Sequence, residues 1–434
     1  MNEPKQDKAE VLRNEAINMY LQGQKITDIC RKLGRSRPWF YKTLDQYRQG
    51  GRAGLESQSR AAHRVHNRTP KKVERAIVRL RETIMTGQDP ELRYANIGAD
   101  SIALELKRME IKPPHRATIN RILKRHDLVQ PRMRKNKPTK LPADFPWPQS
   151  DQANAVHQLD FVSRRIGGSG EQFYGVHLLD LARRWPYLRI ITTKSARAVC
   201  QFLVGVWQEI GLSTALQIDN DIVWNGGGRG QRVLSTVVRL CLAVGVQVIY
   251  IPPYTPRANG IIESFNDLWT TNFWGRTQFN DVDHVETELP LFETYCQKRR
   301  PLPELDGLTA DQIKPDFSPL LLSDDFDLHQ QKQLPITAGF VHFIRFVSNA
   351  STFSILNEAW TLDNDRWAGA TIRATIDTQA QQLLVFHHPP DSNHCQLIAQ
   401  FDYPLANQTV PLDPAFTQNR PAIWPDVISD DLNL

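Results

Sequence analysis

The chain changes from strand to helix across a run of prolines that neither structure accommodates well. Residues 248–251, Val-Ile-Tyr-Ile, have the apolar, β-branched and aromatic character of a buried strand. The next five residues, Pro-Pro-Tyr-Thr-Pro at 252–256, exclude a helix. An amphipathic helix is predicted beyond them from the spacing of Ile261, Phe265 and Leu268. Glu263 lies off that apolar stripe, so a carboxylate is expected on the polar flank of the helix.

Two further carboxylates accompany short apolar runs. Asp160 lies within residues 155–162, Ala-Val-His-Gln-Leu-Asp-Phe-Val, which predict a central strand. Asp219 directly follows the apolar run 215–218, Ala-Leu-Gln-Ile, so its carboxylate is expected at the edge of a second strand. Asp221 is an alternative for the same role. We favour Asp219 because Asp221 lies two residues further into the loop.

Carboxylates from three separate stretches would suit a magnesium site. Mg²⁺ prefers hard oxygen ligands and keeps several waters, which leaves coordination positions for phosphate oxygens. Two such ions, roughly 3.5 to 4 Å apart, can activate an attacking oxygen and stabilise a departing one. A single Asp or Glu is more often a helix cap, a salt-bridge partner or a solvated charge, so the prediction depends on the three occurring together.

Several motifs in this region resemble those of a known enzyme family. Residues 251–266, Ile-Pro-Pro-Tyr-Thr-Pro-Arg-Ala-Asn-Gly-Ile-Ile-Glu-Ser-Phe-Asn, closely resemble the third catalytic motif of bacterial insertion-sequence transposases of the retroviral-integrase superfamily. Gln-Leu-Asp-Phe at 158–161 resembles the first motif, and Ile-Asp-Asn at 218–220 resembles the second. Leu-Leu-Asp-Leu-Ala-Arg-Arg at 178–184 resembles the family's second strand.

The resemblance implies a DDE transposase with a ribonuclease H-like integrase core over residues 155–315. In that family the Asp, Asp and Glu bind two Mg²⁺ ions, which Mn²⁺ can replace. Asp160, Asp219 and Glu263 are therefore the expected catalytic residues and metal ligands. The enzyme would cleave double-stranded DNA at element ends and join the freed 3′-hydroxyl to target DNA, as a homo-oligomer that is at least a dimer on DNA. The alternatives are a catalytically silent DNA-binding regulator and a ribonuclease H-like nuclease that only hydrolyses.

Positive charge is concentrated in the first 140 residues, which contain 32 Lys and Arg against 15 Asp and Glu. The rest of the chain has the opposite balance, 21 against 32. Lys and Arg that neutralise phosphates supply most of the non-specific affinity for duplex DNA. The basic part of the chain is therefore expected to hold the DNA.

Residues 1–54 have the pattern of a helix-turn-helix DNA-binding domain. Apolar positions predict three short helices, and Gly34 with Ser36 marks the turn into the last of them. The last helix of such a domain enters the major groove. The expected DNA contacts at and near its start are Arg35, Ser36, Arg37, Tyr41 and Lys42.

A second helix-turn-helix domain is predicted at residues 69–128, again from three amphipathic segments. Its expected DNA contacts are Arg116, Thr118, Asn120, Arg121 and Lys124. A basic linker, 129–154, follows. The first part of this linker is bounded by prolines and too polar to pack, so it is expected to follow the DNA backbone. The contacts expected there are Arg132, Arg134 and Lys135.

Beyond the core, residues 335–405 alternate apolar and polar side chains in short runs, which predicts strands at 341–347, 371–376 and 382–386. These would form a small all-β, barrel-like domain for contact with DNA or another subunit. The acidic, proline-containing tail 406–434 is a candidate for disorder. The chain is thus predicted to be multidomain, with an all-α helix-turn-helix N-terminal region, an α/β ribonuclease H-like catalytic core and this β domain.

A glycine-rich loop, 226–230, lies just after Asp219. Arg229 within it and the nearby Arg232 are expected to reach target DNA, because loops beside active sites often carry function. The alternative is a flexible connection between a strand and a helix.

Composition argues against two other classes of protein. No stretch approaches the roughly 18 consecutive apolar residues of a membrane span, and the charged N-terminus lacks an apolar signal region. The five cysteines lack Cys-x-x-Cys spacing, which argues against a disulfide framework and a cysteine-based zinc site. The expected location is the cytoplasm, in association with the nucleoid and without a membrane partner.

Overall fold

The computed structural model describes residues 8–57, 68–129, 140–225, 231–315, 318–326, 334–390, 392–417 and 420–428. Four of the expected DNA contacts lie outside these described residues, namely Arg132, Arg134, Lys135 and Arg229. The chain divides into two compact units, Met1–Thr69 and Pro70–Leu434.

The first unit contains the three predicted helices, α1 (Lys8–Leu21), α2 (Ile26–Leu33) and α3 (Arg37–Gly50). α2 ends at Gly34, whose φ of 60° lies in the left-handed region that glycine adopts without strain. The Ser36 hydroxyl caps α3 by accepting a hydrogen bond from the Trp39 N–H. Apolar side chains from all three helices close a small core that includes Ile17, Ile29 and Phe40.

The second unit begins with the other predicted helices, α4 (Lys71–Thr86), α5 (Ala99–Arg108) and α6 (Arg116–Arg125). Their buried side chains, such as Ile77 and Ile102, belong to the same hydrophobic cluster as Phe265 and Phe292 of the α/β region. The segment between α4 and α5 is also tied to that region, because its Asn96 and Tyr94 accept hydrogen bonds from the Asn272 amide. These helices therefore pack directly on the α/β region.

A central sheet follows, with β1 (Val156–Arg165), β2 (Gln172–Asp180), β3 (Trp185–Ile191), β4 (Ala215–Ile218) and β5 (Gln247–Tyr250) in the order β3-β2-β1-β4-β5. β2 is antiparallel to β1 and β3, whereas β4 runs parallel to β1 and to β5. Carboxyl ends of parallel neighbours lie at the same edge of a sheet, so the residues that follow β4 and β5 lie close together. β1 extends beyond Gln158, its last residue paired with β4, and brings its middle residues to the same place.

Among the described residues, five helices accompany this sheet: α7 (Ala196–Glu209), α8 (Ile222–Asn225), α9 (Thr236–Ala243), α10 (Gly260–Leu268) and α11 (Val282–Lys298). α10 continues into a π-helical segment, Trp269–Trp274. The ends of the proline-containing stretch agree with the sequence analysis, because β5 precedes it and α10 follows it. The predicted α/β core is thus confirmed.

The C-terminal region is rich in strands, as predicted: β6 (Ile336–Thr337), β7 (Phe340–Phe346), β8 (Thr352–Ile355), β9 (Glu358–Thr361), β10 (Thr371–Asp377), β11 (Gln382–His387), β12 (His394–Asp402), β13 (Thr409–Val410) and β14 (Asp426–Ile428). β7 pairs with β5 in parallel, with Val341 opposite Val248. β10, β11, β12 and β14 follow β7 in order. In the described part of the chain, the central sheet and five of the C-terminal strands, β7, β10, β11, β12 and β14, therefore form one ten-stranded sheet. β8 and β9 form a separate two-stranded sheet.

The tail was expected to be a candidate for disorder, but its described residues contribute two strands. β13 pairs with β6, and β14 adds to the edge of the large sheet beside β12. Ile423, between them, is buried against the core around β1 and β5. None of the helices in the described ranges combines the length and apolar character that a membrane crossing needs.

Candidate active site

Asp160, Asp219 and Glu263, the three carboxylates singled out in the sequence, line one cleft of about 410 Å³. Asp160 lies in β1, Asp219 follows β4 directly, and Glu263 is in the first turn of α10. Three elements that are distant in the sequence thus converge on the same edge of the sheet. The remaining walls come from the loop after β4 and from the proline-containing segment 251–256.

The pKa of the Asp160 carboxyl is affected by the other two acids. Its pKa is raised to about 6, mainly by burial and in smaller part by the negative charges of Asp219 and Glu263. The hydrogen bond from the Phe161 N–H and the charge of Lys194 act in the opposite direction. Negative charge in the cleft is therefore only partly balanced by the protein itself.

Two side chains that were not predicted from the sequence orient Asp160, one directly and one through the other. The Asn266 amide donates to Asp160 Oδ2 at 2.8 Å, and Asn266 Oδ1 lies 2.7 Å from the Nδ1 of His177. His177 is buried on β2 directly opposite Asp160. Burial lowers the pKa of His177 to about 4, so the neutral ring donates its Nδ1 proton to Asn266. The available sequence signal was that Asn266 follows Glu263 by one helical turn.

Asp219 and Asp221 both line the cleft, but their partners differ. Asp219 Oδ1 accepts a hydrogen bond from the Trp224 indole N–H at 2.6 Å and from the Asp221 N–H at 3.0 Å. Asp221 forms an ion pair with Lys194, and its Oδ1 accepts the Val223 N–H at 3.1 Å. Because Asp221 already neutralises a cation and caps α8, Asp219 remains our choice for the catalytic role.

Two buried glutamines fix the start of α10, and neither was predicted from the sequence. Gln158 of β1 accepts the Ile262 N–H at 3.1 Å. Gln217 of β4 donates to the Asn259 side chain at 2.9 Å. The first N–H groups of a helix have no partner within the helix, so Gln158 supplies one from the strand that carries Asp160. The helix that bears Glu263 is thereby joined to β1, which carries Asp160, and to β4, which ends just before Asp219.

Glu263 is half-buried, and burial followed by the charge of Asp267 raises its pKa. The apolar stripe of α10 differs slightly from the expected one. Ile262 is completely buried in the shared core, whereas Ile261 is half-buried. Glu263 remains off the buried face, as the expected stripe implied.

The chemistry of the donor set fits a divalent cation, because three carboxylates of one cleft raise each other's affinity for positive charge. In the described part of the chain, no group of three or more His, Cys, Asp or Glu side chains is already arranged to hold a metal ion. Each carboxylate oxygen can accept more than one bond, so the hydrogen bonds to Asp160 and Asp219 leave lone pairs available to a cation.

The expected DNA contacts of the first unit are at the surface. Ser36 caps α3, and Arg35, Arg37, Tyr41 and Lys42 are exposed. Arg35 lies over the Trp39 ring, with 5.8 Å between its guanidinium carbon and the ring centroid. Their role in DNA binding stays a prediction.

The expected contacts of the second helical module lie on α6. Asn120, Arg121 and Lys124 are exposed, whereas Thr118 is half-buried. Arg116 is exposed and forms an ion pair with Asp100 at 3.4 Å. These residues also remain predicted contacts.

Arg232 has strong partners within the protein. Its guanidinium donates to both carboxylate oxygens of Glu358 in β9, at 2.9 and 2.6 Å. It also lies over the rings of Trp360 and Tyr403. A contact with target DNA, predicted from the sequence, would have to compete with this bidentate pair or use the exposed part of the side chain.

Comparison with known families assigns two parts of the chain. Residues 7–56 match the Homeodomain-like domain family, and residues 244–309 match the Integrase core domain family. The chain carries an integrase core. With the helix-turn-helix unit, this domain supports a transposase or integrase of the DDE superfamily and hence a polynucleotidyl transferase. The integrase core match includes Glu263 and the proline-containing segment, whereas Asp160 and Asp219 precede it.

Solved structures similar to this integrase core and its surroundings include the catalytic core of BIV integrase, at 18% identity over 37% of this chain and 92% of that one, with a TM-score of 0.27. A simian T-cell lymphotropic virus intasome in complex with PP2A regulatory subunit B56 gamma matches at 12% identity over 70% and 95% of the two chains, with a TM-score of 0.34. The HTLV-2 integrase catalytic core in complex with magnesium matches at 11% identity over 38% and 99%, with a TM-score of 0.30. With TM-scores this low, the assignment rests on the two domain matches.

Proposed function

We propose that this chain is a DDE transposase that binds the ends of a DNA element, cleaves there, and joins the freed 3′-hydroxyl to target DNA. The observation that carries the proposal is the cleft in which Asp160, Asp219 and Glu263 converge, where the other two acids help to raise the pKa of Asp160. A chain with both a homeodomain-like unit and an integrase core has the parts that sequence-directed DNA joining needs.

We infer that Asp160, Asp219 and Glu263 hold two Mg²⁺ ions, for which Mn²⁺ can substitute. Ions of this kind, when bound, activate the attacking oxygen and stabilise the leaving oxygen of a phosphodiester. The HTLV-2 integrase core described above was solved in complex with magnesium.

The protein's own contribution would be to hold the carboxylates in fixed positions before DNA arrives. The Phe161 N–H donates to Oδ1 of Asp160 and the Asn266 amide donates to its Oδ2. The Trp224 indole donates to Asp219. Such hydrogen bonds reduce the reorganisation needed during the reaction. The fully exposed Tyr254, at the edge of the cleft, is available to contact DNA that enters it.

Double-stranded DNA, both element end and target, is the proposed partner. The exposed basic residues of α3 and α6 would bind the element end, since both helices occupy the groove-entering position of a helix-turn-helix. Two element ends must be joined to one target and each core has one carboxylate cleft, so at least a dimer would form on DNA.

The test is a nicking and strand-transfer assay on a labelled duplex carrying the inverted repeat that flanks the gene. Asp160→Asn, Asp219→Asn and Glu263→Gln should each abolish both reactions and leave end binding nearly intact, because each change removes a ligand charge and keeps the shape. Glu286→Gln is the matched control, since Glu286 is an exposed acid on α11. Ca²⁺ should permit assembly with little chemistry, since its coordination is larger and less strict.

Three results would separate this proposal from its alternatives. Normal activity of the Asp160, Asp219 and Glu263 variants would remove the cleft from the mechanism. Hydrolysis without joining would identify a nuclease, and end binding with no reaction in the unaltered protein would identify a regulator. An inactive Asp221→Asn beside an active Asp219→Asn would transfer the second catalytic role to Asp221.

A further inference from the structure

The strand that joins the C-terminal region to the catalytic sheet carries a buried arginine that reaches the cleft. Arg345 lies in β7 and is only 8% exposed. Its guanidinium donates to Asn220 Oδ1 at 3.0 Å, to the Ile251 carbonyl at 3.1 Å and to the Ser354 carbonyl at 2.9 Å. Two of these acceptors, Asn220 and Ile251, line the carboxylate cleft.

Asn220 lies between Asp219 and Asp221, and its side chain shares an acceptor with Arg345. Its amide donates to the Ile251 carbonyl at 2.6 Å, which is also an acceptor for Arg345. This triangle ties together three segments: β7, the loop after β4, and the start of the proline-containing segment. The two segments that form the walls of the cleft thus share one brace from the C-terminal region.

A second route runs from β7 to Asp219 itself. Phe343 stacks on Tyr250, with ring centroids 4.8 Å apart and planes inclined by 3°. The Tyr250 hydroxyl donates to the Trp224 carbonyl at 2.9 Å, and the Trp224 indole donates to Asp219. Phe343 and Arg345 are two residues apart, so they project from the same face of β7. One face of one strand therefore supports the Asp219 loop at two points.

Burial of a guanidinium disfavours its charged form, and here it lowers the Arg345 pKa to about 10. The pairing of β7 with β5 does not require a charged side chain at position 345. An apolar residue there would fit the sheet without the cost of removing a charge from water. The planar group with several N–H donors is suited instead to joining acceptors from separate segments.

We propose that Arg345 is a positioning residue, through which the C-terminal β-rich region fixes Asn220 and sets the position of Asp219 in the cleft. The inference deepens the proposed function and rests on it only for the activity measurement. It assigns to the C-terminal region a part in building the active site, beyond contact with DNA or another subunit.

The experiment uses the full chain and compares Arg345→Gln with Asn220→Ala and with a matched control, Arg373→Gln. Arg373 lies in β10, is 4% exposed, and hydrogen-bonds to His388 and Thr375 within the β-rich region. Asn220→Ala leaves β7 unchanged, so it tests the brace even if Arg345→Gln folds poorly. The measurements are thermal unfolding, hydrogen exchange of peptides covering residues 219–224, and nicking rate as a function of Mg²⁺ concentration.

Both arginine variants should lower the melting temperature. Only Arg345→Gln and Asn220→Ala should speed hydrogen exchange at residues 219–224, where the Asp221 and Val223 N–H groups are hydrogen-bonded to carboxylates. The same two variants should raise the Mg²⁺ concentration needed for half-maximal nicking and slow it by about 10- to 100-fold, as loss of a group that orients a metal ligand does. The KM for element-end DNA should stay unchanged.

The double variant Arg345→Gln with Asn220→Ala should be slowed by clearly less than the two single effects combined, because both substitutions remove the contact between Arg345 and Asn220. Fully additive losses of nicking rate in the double variant would overturn the proposal. It would also be overturned if Arg345→Gln and Arg373→Gln had the same hydrogen exchange at residues 219–224 and the same nicking rate per folded molecule. If the unaltered protein does not nick DNA, the proposed function fails separately. Exchange at 219–224 then still decides the positioning role: faster exchange supports it, and unchanged exchange refutes it.

Discussion

The two helical modules near the N-terminus have the same sequence pattern but different packing partners. α1, α2 and α3 close a core of their own around Ala16, Ile29 and Phe40. α4, α5 and α6 instead share a hydrophobic cluster with α10 and α11 of the catalytic region. Hydrophobic periodicity thus specifies a helix and its apolar face, whereas the partner of that face is decided by the rest of the chain.

Polar contacts reinforce this difference. Glu288 of α11 accepts hydrogen bonds from Arg93 at 2.8 Å and from the Tyr94 hydroxyl at 2.6 Å. Glu105 of α5 pairs with Arg299 at 3.1 Å. Because α6 and the carboxylate cleft belong to one compact unit, the second module presents its exposed residues at a fixed distance from the cleft.

Isolated fragments give the strongest test of this difference between the two modules. We expect residues 8–57 to fold alone, since their helices bury their own core, although a domain this small is only marginally stable. Residues 68–129 alone should show little cooperative structure, because Ile77 and Ile102 lose partners from α10 and α11. Circular dichroism during thermal unfolding measures both. A sharp unfolding transition of 68–129 would contradict the shared-core description.

Glu288→Ala should weaken the docking of the second module. The change leaves Arg93 and the Tyr94 hydroxyl without their shared acceptor, in a place where the Glu288 side chain is 15% exposed. We expect a loss of about 1.5 to 3 kcal/mol in the free energy of unfolding, the range for hydrogen bonds to a charged group. Glu286→Gln, on the exposed side of the same helix, is the control in urea titration. Equal, small effects of the two variants would mean that packing alone holds α4 to α6.

Arg37→Ala and Arg121→Ala compare α3 and α6, the two helices predicted to enter the major groove of DNA. Each should cost roughly 1 to 3 kcal/mol of binding free energy for the element end if the arginine makes a bidentate base contact. Fluorescence anisotropy on element-end and random duplexes, at several salt concentrations, gives the measurement. An equal loss on both duplexes, with a shallower salt dependence, would reassign that arginine to phosphate binding.

Ser36→Ala should have the smallest effect, a loss of about 0.5 to 1 kcal/mol in the stability of the first unit. The hydroxyl accepts the Trp39 N–H at a long 3.4 Å in an exposed position, which favours the lower part of the range for helix caps. Thermal unfolding of residues 8–57 and of the full chain should both register it. A transition of the second unit that moves equally would show that the two units unfold together.

Local patterns in the sequence were sufficient for the elements that position the cleft. The prolines at 252–256 separated β5 from α10, and the short apolar runs located β1 and β4. The stripe of α10 was placed slightly wrongly, with Ile261 in place of Ile262 as the fully buried residue. The difference arises because the Ile262 N–H and side chain both turn toward β1 and the shared core, a contact between residues 104 positions apart.

The groups that hold the carboxylates were not predictable in the same way. His177 reaches Asp160 only through Asn266, and Arg345 reaches Asn220 across 125 residues of sequence. Neither histidine nor arginine stands in a local motif that signals such a role. The pairing of β7 with β5 depends on backbone hydrogen bonds. The alternation of side chains along one strand shows which face is buried, but it does not show which strand lies beside it.

The parallel pairing of β5 with β7 also protects the protein from association with other chains. Without β7, the buried strand Val-Ile-Tyr at 248–250 would leave a row of unpaired N–H and C=O groups at an apolar edge, which is a template for intermolecular strand addition. During synthesis β5 leaves the ribosome before β7 exists, so this edge is open for the time taken to make the intervening residues. Truncation before β7 should therefore yield an aggregating protein, in which the edge of the catalytic sheet recruits copies of itself.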